Sequence, residues 1–393
     1  MHFAGRVSGL RSEGAYHMLA RAQALEAQGR DIIHLEIGQP DIDTFEHIRR
    51  AGMEAIDAGR TRYTPPAGMP ALRGAIAQDA SERLGTSFSA EEVVVTPGAK
   101  PNLFFPTLAV IEPGDEVLFP DPGFPSYESI ILVAGGVPVP YPLTEASHFN
   151  PDLDSLRAAF NKRTRMLILN SPGNPTGGVL TRDVIAALAD ELRDSDCWVM
   201  SDDIYSRLHY GEARAASILD EPGMRERTIV VDGFSKTFAM TGWRLGYGIM
   251  PVELARKVEL LVTHATGSTA QFTQDAGIAA LSGPQEPVLE MLEHYRRRRD
   301  LVIQGLNTIP GIRCPVPGGA FYAFPNVSEY GIPSAELANR ILDEVGVALL
   351  PGTAFGAQGE GFLRLSYASS MELLERGLSR LGAFFNSLTL DSG

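Results

Sequence analysis

Cysteine is scarce in this sequence. The chain has only two, Cys197 and Cys314, and their wide separation matches no metal-site spacing. A disulfide framework and a zinc site are therefore both disfavoured. Cys197 falls in an apolar stretch that we predict to be a strand, where a buried, unreactive thiol is expected. The sequence predicts no bound metal.

Long apolar runs and excess positive charge are also missing. No apolar run is long enough to cross a bilayer, and the N-terminus has no apolar signal segment. These features disfavour a membrane or secreted protein and predict a cytoplasmic one. The 34 Lys and Arg residues stand against 48 Asp and Glu residues, so that the net charge is −14. Such a charge disfavours nucleic acid as a partner.

The sequence does contain alternating strand and helix patterns. Its 393 residues, 44% of them apolar and 21% charged, are typical of a globular protein with two domains. From residue 91 onwards, short apolar stretches alternate with helical segments, which predicts an α/β three-layer fold around a mostly parallel sheet. The predicted strands are 92–95, 117–119, 166–169, 198–200 and 228–231, and helices are predicted at 16–28, 284–305 and 371–385.

A candidate catalytic lysine follows the last predicted strand. Lys236 lies just beyond the strand 228–231, at the end where open α/β sheets bind their ligands. Ser235 and Arg244 can both bind a phosphate, one by its hydroxyl and the other by a forked charged contact. A desolvated lysine beside a phosphate site suits a Schiff base with pyridoxal phosphate. The alternative is a surface lysine in an ordinary loop.

Other strand ends carry groups suited to a flat, anionic cofactor. Asp202 can pair with a protonated pyridine nitrogen, and Tyr205 can bond the phenolate oxygen of the same ring. Asn174, held between a glycine and a proline, can donate to that oxygen and to a carboxylate. Phe124 is placed to stack on a flat ring. Taken alone, an Asp-Asp pair after a strand is more often a turn or a helix cap, and a single phenylalanine is more often core.

A second anion site is expected where the first predicted strand turns into a helix. Gly98, Ala99 and Lys100 lead into that helix, whose free N–H groups can bind phosphate. Arg364 interrupts an alternating apolar strand, and a buried arginine needs an anionic partner. A core salt bridge is the alternative for Arg364. Gly38 either lets a ligand approach the backbone closely or simply makes a turn.

The motif S-K-T-F-A-M-T-G-W-R-L-G-Y at 235–247 resembles the signature of class I pyridoxal-phosphate aminotransferases, the aspartate/aromatic group of fold type I. The resemblance covers nearly the whole chain through separate motifs in matching order. It implies a seven-stranded sheet in a large domain, residues 44–285. It also implies a small α/β domain built from both chain ends, residues 1–43 and 286–393.

The resemblance also implies the cofactor, pyridoxal 5'-phosphate, and the roles of single residues. It implies that Lys236 bears the cofactor and acts as general base, and that Asp202 rather than Asp203 contacts the ring nitrogen. It also implies that Arg364 binds the substrate α-carboxylate and that Gly38 lies at that carboxylate. In this chain Gln39 replaces the glutamate usual after that glycine. The full expected site comprises catalytic Lys236, Asp202 and Tyr205; cofactor-binding Gly98, Ala99, Lys100, Phe124, Asn174, Ser235, Arg244 and Tyr63; and substrate-binding Gly38, Lys100, Phe124, Asn174 and Arg364.

A homodimer with shared active sites is implied as well. Tyr63 begins a rigid turn, 63–68, and a surface tyrosine is the ordinary expectation there. The turn matches the family element Y-x-P-P-x-G, which implies that Tyr63 reaches the cofactor phosphate of the neighbouring subunit. The hydroxyl-rich segment 262–273 is implied to approach the neighbouring site too.

The implied reaction is transfer of an amino group between an L-amino acid and a 2-oxo acid such as 2-oxoglutarate. Lys100 stands where some bacterial aspartate and prephenate aminotransferases carry a lysine for an acidic side chain, so aspartate or another acidic donor is expected. Tyr16 and His17 replace the small residues that the family usually has near the substrate.

Other functions remain open at this point. They are an aminotransferase for aromatic or biosynthetic intermediates, a C–S β-lyase on the same scaffold, a regulator that uses the fold to bind a ligand, and a non-catalytic relative. The intact set of Lys236, Asp202, Asn174 and Arg364 argues against the last.

Overall fold

The computed structural model describes residues 3–10, 14–211 and 214–388. Within these ranges the chain forms fourteen α-helices. They are α1 Gly5–Ser8, α2 Gly14–Glu26, α3 Glu46–Asp57, α4 Pro70–Leu84, α5 Lys100–Val110, α6 Ser126–Ala134, α7 Leu153–Ala159, α8 Arg182–Leu192, α9 Phe234–Thr237, α10 Val252–Ala265, α11 Gln271–Ser282, α12 Glu286–Asn307, α13 Ser334–Val345 and α14 Met371–Ser387. None of the helices in the described ranges is long and apolar enough to span a membrane.

The same ranges contain twelve β-strands in three sheets. They are β1 Ile33–His34, β2 Val93–Thr96, β3 Glu116–Asp121, β4 Val137–Pro142, β5 Thr164–Asn170, β6 Trp198–Asp202, β7 Thr228–Gly233, β8 Gly246–Ile249, β9 Tyr322–Ala323, β10 Val347–Ala348, β11 Leu350–Pro351 and β12 Leu363–Ser366.

A seven-stranded sheet forms the centre of the fold, in the order β2-β8-β7-β6-β5-β3-β4. Strand β8 is antiparallel to both of its neighbours, and every other pair is parallel. The predicted α/β fold with a mostly parallel sheet of seven strands is therefore confirmed. Because the parallel strands β5, β6 and β7 are adjacent, their carboxyl ends meet at one edge of the sheet.

Both faces of this sheet are buried, as a parallel sheet requires. Along β5, Leu167 and Leu169 join one apolar cluster with residues of α4, α8 and α11, while Met166 and Ile168 join a second cluster with residues of α5, α6 and α10. The alternation follows from the two-residue period of a strand. The result is a sheet between two helical layers.

The two chain ends meet in a third apolar cluster. There β1 pairs in parallel with β10, while β11, β12 and β9 form an antiparallel sheet. The long helix α12 contributes Val288 to the core of the large sheet and Val302 and Leu306 to this third cluster. It therefore connects the two regions physically.

Several element ends differ from the predicted ones. Helix α2 begins and ends two residues earlier than the predicted 16–28. It ends earlier because the N–H groups of Gln28 and Gly29 donate to carbonyls only three residues back, which tightens the last turn. Strand β6 continues to Asp202, since pairing with β5 and β7 carries on past the apolar residues. Cys197 lies one residue before β6, so its predicted place inside the strand is wrong. It is buried, and burial raises the pKa of its thiol to about 12.

Candidate active site

The site lies at the carboxyl edge of the large sheet. The register places Asn170, the last residue of β5, beside Asp202 of β6, and places Asp202 beside Val231 of β7. Asn170 then donates to the carbonyl of Asp202 at 2.9 Å and accepts from the backbone N–H of Asn174 at 2.9 Å. The short helix α9 begins directly after β7 and carries Lys236. Three neighbouring strands thus bring these groups together.

Lys236 is the central group of the site. Its Nζ donates to the carbonyl oxygen of Gly38 at 2.6 Å. Burial and the nearby charges of Arg364, Arg244 and Lys100 together lower the pKa of Lys236 to about 8, while Asp202 acts in the opposite direction. A neutral amine is therefore accessible near physiological pH, as a group that accepts a proton requires.

Asp202 is buried, with 5% of its surface exposed. Tyr127 of α6 donates to its Oδ2 at 2.6 Å, and the backbone N–H of Ile204 donates to Oδ1 at 3.3 Å. Burial raises the pKa of Asp202 to about 6, and the bonds from Tyr127 and Ile204 hold it down. The carboxylate is mostly ionised at neutral pH. The sequence did not predict Tyr127 as a site residue. The one signal that pointed to it was its place three residues after Phe124.

The adjacent carboxylate, Asp203, has different partners. Ser201 donates to it at 2.6 Å, and the guanidinium of Arg83 lies 4.0 Å away. Arg83 also pairs with the buried Asp232 at 3.1 Å. Burial raises the pKa of Asp203 to about 7. The two neighbouring aspartates therefore belong to different networks, one with Tyr127 and one with Arg83.

Arg364 is buried on β12. Its Nη1 donates to Oδ1 of Asn174 at 3.2 Å, and its Nη2 donates to the backbone carbonyl of Glu36. The guanidinium carbon lies 4.5 Å from the ring centre of Tyr322 and 4.9 Å from that of Phe355. Two aromatic faces thus fix the plane of a cation in a dry environment. Glu36, Tyr322 and Phe355 carried no signal in the sequence that pointed to this role.

The turn before α5 forms a corner of the site together with Arg244. Gly98 has a φ of 87°, and a Cβ added there would lie 2.2 Å from Nη2 of Arg244. Only glycine fits this position. Ala99 and Lys100 follow at the start of α5, the kind of helix end at which N–H groups can bind an anion. Ser235 is buried on α9. Gly98, Arg244 and the start of α5 therefore lie together at the place where the sequence predicts an anion site.

Two expected site residues lie at the side of this corner. Phe124 is half-buried, and its ring centre lies 5.1 Å from Nζ of Lys100. Phe124 also packs edge-on against Tyr127 at 5.6 Å between ring centres. Tyr205 is buried on the other side, where its hydroxyl lies 2.7 Å from the hydroxyl of Tyr322.

Gly38 is fixed by a close approach within the chain. A Cβ added to it would lie 2.0 Å from the hydroxyl of Tyr322. Tyr16 and His17 are both exposed on α2. A Cβ added to Gly14, the first residue of that helix, would lie 3.0 Å from Cβ of Ala354, the residue before Phe355. The start of α2 therefore lies near the residues that surround Arg364.

Tyr63 is not part of this set within one chain. It is 98% exposed, but the next residue is held in place: the hydroxyl of Thr64 accepts from the side chain of Gln274 at 2.8 Å and donates to the carbonyl of Thr269. The segment 268–274 thus supports the turn that presents Tyr63.

The charges of the site favour anionic ligands. Arg364, Arg244 and Lys100 all act on Lys236 as positive charges, and Asp202 acts on it as a negative one. An excess of cations suits a phosphate and a carboxylate, while the buried carboxylate suits a positively charged ring nitrogen. Pyridoxal 5'-phosphate carries both a phosphate and a basic ring nitrogen, so the donor set fits it. The described residues hold no cluster of His, Cys, Asp or Glu arranged for a metal.

The fold and the charges together define the class of protein: an α/β enzyme whose site, built around a half-buried lysine, suits a phosphorylated cofactor. Comparison with known proteins identifies the family. Residues 30–381 match the family model described as aminotransferase class I and II. The chain belongs to this family, and it is a pyridoxal 5'-phosphate-dependent aminotransferase.

Individual relatives agree with this assignment. The chain is 39% identical to an aspartate aminotransferase of Pyrococcus horikoshii, over 93% of this chain and 92% of that protein. It is 40% identical to an aspartate/prephenate aminotransferase of Cereibacter sphaeroides, over 94% and 95%. Its fold is similar to the crystal structure of the aspartate aminotransferase of Rhizobium meliloti, with a TM-score of 0.94, 36% identity and coverage of 99% and 100%.

Proposed function

We propose that this aminotransferase moves the amino group of aspartate, or of another acidic L-amino acid, to a 2-oxo acid such as 2-oxoglutarate. The observation that carries the proposal is the presence of two cations, Arg364 and Lys100, near the amine of Lys236. An acidic amino acid has two carboxylates, and the site has a cation that could contact each of them. The names of the relatives point to the same substrate class.

The cofactor would be held at three points. Gly98, Ala99 and the first N–H groups of α5, with Ser235 and Arg244, would bind its phosphate. Asp202 would pair with its ring nitrogen and Tyr205 would donate to its phenolic oxygen, with Asn174 donating nearby and Phe124 against the ring. When bound, pyridoxal 5'-phosphate supplies an electron sink next to the substrate Cα.

Lys236 would move the proton. Its pKa of about 8 would let the neutral amine accept the proton of the substrate Cα and then, as the ammonium, give that proton back during amino transfer. Asp202, ionised at neutral pH, would keep the ring nitrogen protonated throughout. Tyr127 would hold Asp202 in place by its 2.6 Å hydrogen bond.

Arg364 and Asn174 would orient the substrate. They already share a hydrogen bond of 3.2 Å, and Arg364 is held between two rings. A bidentate contact to the α-carboxylate would fix the substrate so that its Cα–H bond points at Lys236. Such fixed orientation is a large part of the catalytic effect in enzymes. Gly38, at 2.6 Å from Nζ of Lys236, would border the same carboxylate.

We expect Lys100→Met to lower kcat/KM for aspartate and glutamate by about tenfold to more than a hundredfold. The reason is that one charge-assisted hydrogen bond contributes about 1.5–3 kcal/mol. Alanine and phenylalanine lack the second carboxylate and should react nearly as before. The measurement is a panel of amino donors against 2-oxoglutarate, with wild-type protein and the variant side by side.

Lys162→Met is a matched control, because it removes the charge of an exposed lysine and should change no donor selectively. Equal losses for acidic and neutral donors in Lys100→Met would contradict the role of Lys100. If the wild-type protein prefers aromatic donors, the protein is instead an aminotransferase for aromatic amino acids or biosynthetic intermediates. Release of pyruvate from cysteine-type donors without amino transfer would indicate a β-lyase.

We infer that residues 44–285 form the large domain and residues 1–43 and 286–393 the small one. Support comes from the sheets, because the large sheet uses residues 93–249 while the two small sheets use residues 33–34 and 322–366. Parts of these ranges lie outside the described residues, namely 1–2, 11–13, 212–213 and 389–393.

We further propose that the protein is a homodimer with shared sites. Tyr63 is 98% exposed on a turn that the segment 268–274 supports. Tyr63 of one subunit would donate to the cofactor phosphate held by Arg244 and Ser235 of the other. The segment 262–273 would lie at the same boundary.

Mixed dimers test this arrangement. A hybrid of one Lys236→Ala chain and one Tyr63→Ala chain would contain one site with both defects and one site with neither. Random reassociation of equal amounts should therefore restore about a quarter of wild-type activity, since half of the dimers are hybrids and half of their sites are intact. Activity equal to the average of the two parents would refute the shared site.

A further inference from the structure

Tyr322 of β9 contacts three parts of the active site at once. Its ring lies 4.5 Å from the guanidinium carbon of Arg364, its hydroxyl lies 2.7 Å from that of Tyr205, and the same hydroxyl occupies the space where a Cβ of Gly38 would lie. Tyr322 is only 1% exposed. It therefore connects the expected substrate clamp with the residue expected to contact the cofactor oxygen.

The direction of the bond between the two hydroxyls follows from the inventory of donors. A tyrosine hydroxyl has one hydrogen to donate, and its oxygen can also accept. If Tyr205 donates its hydrogen to the cofactor, its oxygen can interact with Tyr322 only by accepting. Tyr322 must then be the donor, which makes a chain of two hydrogen bonds that both point toward the cofactor.

We propose that Tyr322 is a positioning residue that strengthens the hydrogen bond from Tyr205 to the phenolic oxygen of the cofactor. The proposal rests on the proposed role of Tyr205. Hydrogen bonds in a chain polarise one another, so a hydroxyl that accepts a bond becomes a better donor. Both tyrosines are buried, so water does not compete for their hydroxyls. Tyr322 acts on the cofactor only through Tyr205.

The charged groups around the pair belong to several elements. Arg364 of β12 and Asp202 of β6 both act on Tyr205, and Arg364 also acts on Tyr322. Lys236 of α9 lies near the same place, with its Nζ 2.6 Å from the carbonyl of Gly38. All of these groups remain in a Tyr322→Phe variant, so that the variant changes the hydroxyl alone. Its ring can still pack against Arg364.

The test follows the visible absorption of the holoenzyme as the pH is changed. The absorbance changes as the bound cofactor loses a proton, and the phenolic oxygen is more negative in the form present at high pH. A hydrogen-bond donor to that oxygen stabilises the high-pH form. Removal of the donor should therefore raise the pH at which the absorbance change is half complete, called the midpoint below. Tyr205→Phe should raise the midpoint by about 1–2 pH units, the value of a hydrogen bond to a charged group. Tyr322→Phe should raise it by about 0.1–0.7 pH unit, since cooperativity strengthens such a bond by roughly 10–30%.

The double variant separates the two proposals. In the Tyr205→Phe background, Tyr322→Phe should produce no further change of the midpoint, because the connection to the cofactor is already broken. An unchanged midpoint in Tyr205→Phe would refute the role of Tyr205 itself. If Tyr205→Phe shifts the midpoint and Tyr322→Phe does not, only the role of Tyr322 is refuted. The role of Tyr322 is also refuted if Tyr322→Phe shifts the midpoint equally in the wild-type protein and in Tyr205→Phe.

Two further measurements separate this role from simple stabilisation. Tyr210→Phe removes another buried hydroxyl of the same apolar cluster, one that donates to the carbonyl of Ala320 at 2.6 Å, and it should leave the midpoint unchanged. Replacing Tyr322 by 3-fluorotyrosine keeps the packing but makes the hydroxyl a stronger donor, so the midpoint should fall. A rise, or no change, would overturn the proposal even if Tyr322→Phe does not fold.

Discussion

Lys236→Ala is expected to lose transamination almost completely while it still binds pyridoxal 5'-phosphate. The loss should reach about 10⁴-fold, the upper end for removal of a general acid–base group, or about 5 kcal/mol of barrier. The phosphate corner at Gly98 and Arg244 and the carboxylate of Asp202 are untouched by the substitution, so the cofactor should bind without a covalent bond. Single-turnover absorbance changes with amino acid would measure the loss.

The attachment point can be tested in the wild-type protein. The chain has only four lysines, and three of them, Lys100, Lys162 and Lys257, are exposed. Borohydride reduction followed by peptide mapping should place the cofactor on Lys236. Lys257→Ala is a matched control that removes an exposed lysine of α10 and should keep wild-type turnover. Normal turnover by Lys236→Ala, or label on another lysine, would remove the basis of the proposed mechanism.

Asp202→Ala is expected to have the second largest effect. Removal of one partner from a buried charge pair costs about 3–5 kcal/mol, which corresponds to roughly 10²- to 10³-fold or more in rate. The cofactor should remain attached to Lys236, because that bond does not need the ring nitrogen to be charged. The measurement is kcat in steady state, together with the absorption spectrum of the holoenzyme. A rate near that of wild type would mean that another group protonates the ring.

Asp203→Asn is the matched control for this prediction. Asp203 is equally buried and adjacent in sequence, but it faces Ser201 and Arg83. Its substitution should lower the melting temperature more than it lowers kcat. The opposite result, with Asp203→Asn inactive and Asp202→Ala active, would show that Asp203 and not Asp202 pairs with the ring nitrogen.

The rate should also fall in acid. The pKa of Asp202 is about 6 because burial raises it, so protonation removes the negative charge below that pH. A cation bound beside Asp202 would lower the pKa of Asp202 below this value. The acid limb caused by Asp202 should therefore lie below about pH 6 in the holoenzyme, and Asp202→Ala should lack it.

The sequence alone determined the fold class and the central residue. Apolar stretches at regular intervals predicted the parallel sheet, since a strand buried on both faces is a continuous apolar run that is visible locally. Lys236, Asp202 and Asn174 each follow such a run directly, and parallel strands end at one edge. For that reason their proximity could be predicted from order along the chain, and the structure brings them together.

Only the tertiary structure decided which groups support them. Tyr127 and Asp202 are 75 residues apart, Tyr205 and Tyr322 are 117 apart, and Glu36 and Arg364 are 328 apart. No local period connects such pairs, because their contacts depend on how helices and strand ends pack across the sheet. The opposite orientations of Asp202 and Asp203 are decided in the same way. Burial then sets the pKa values of Asp202 and Lys236, since desolvation is a property of the packed site and not of the residue type.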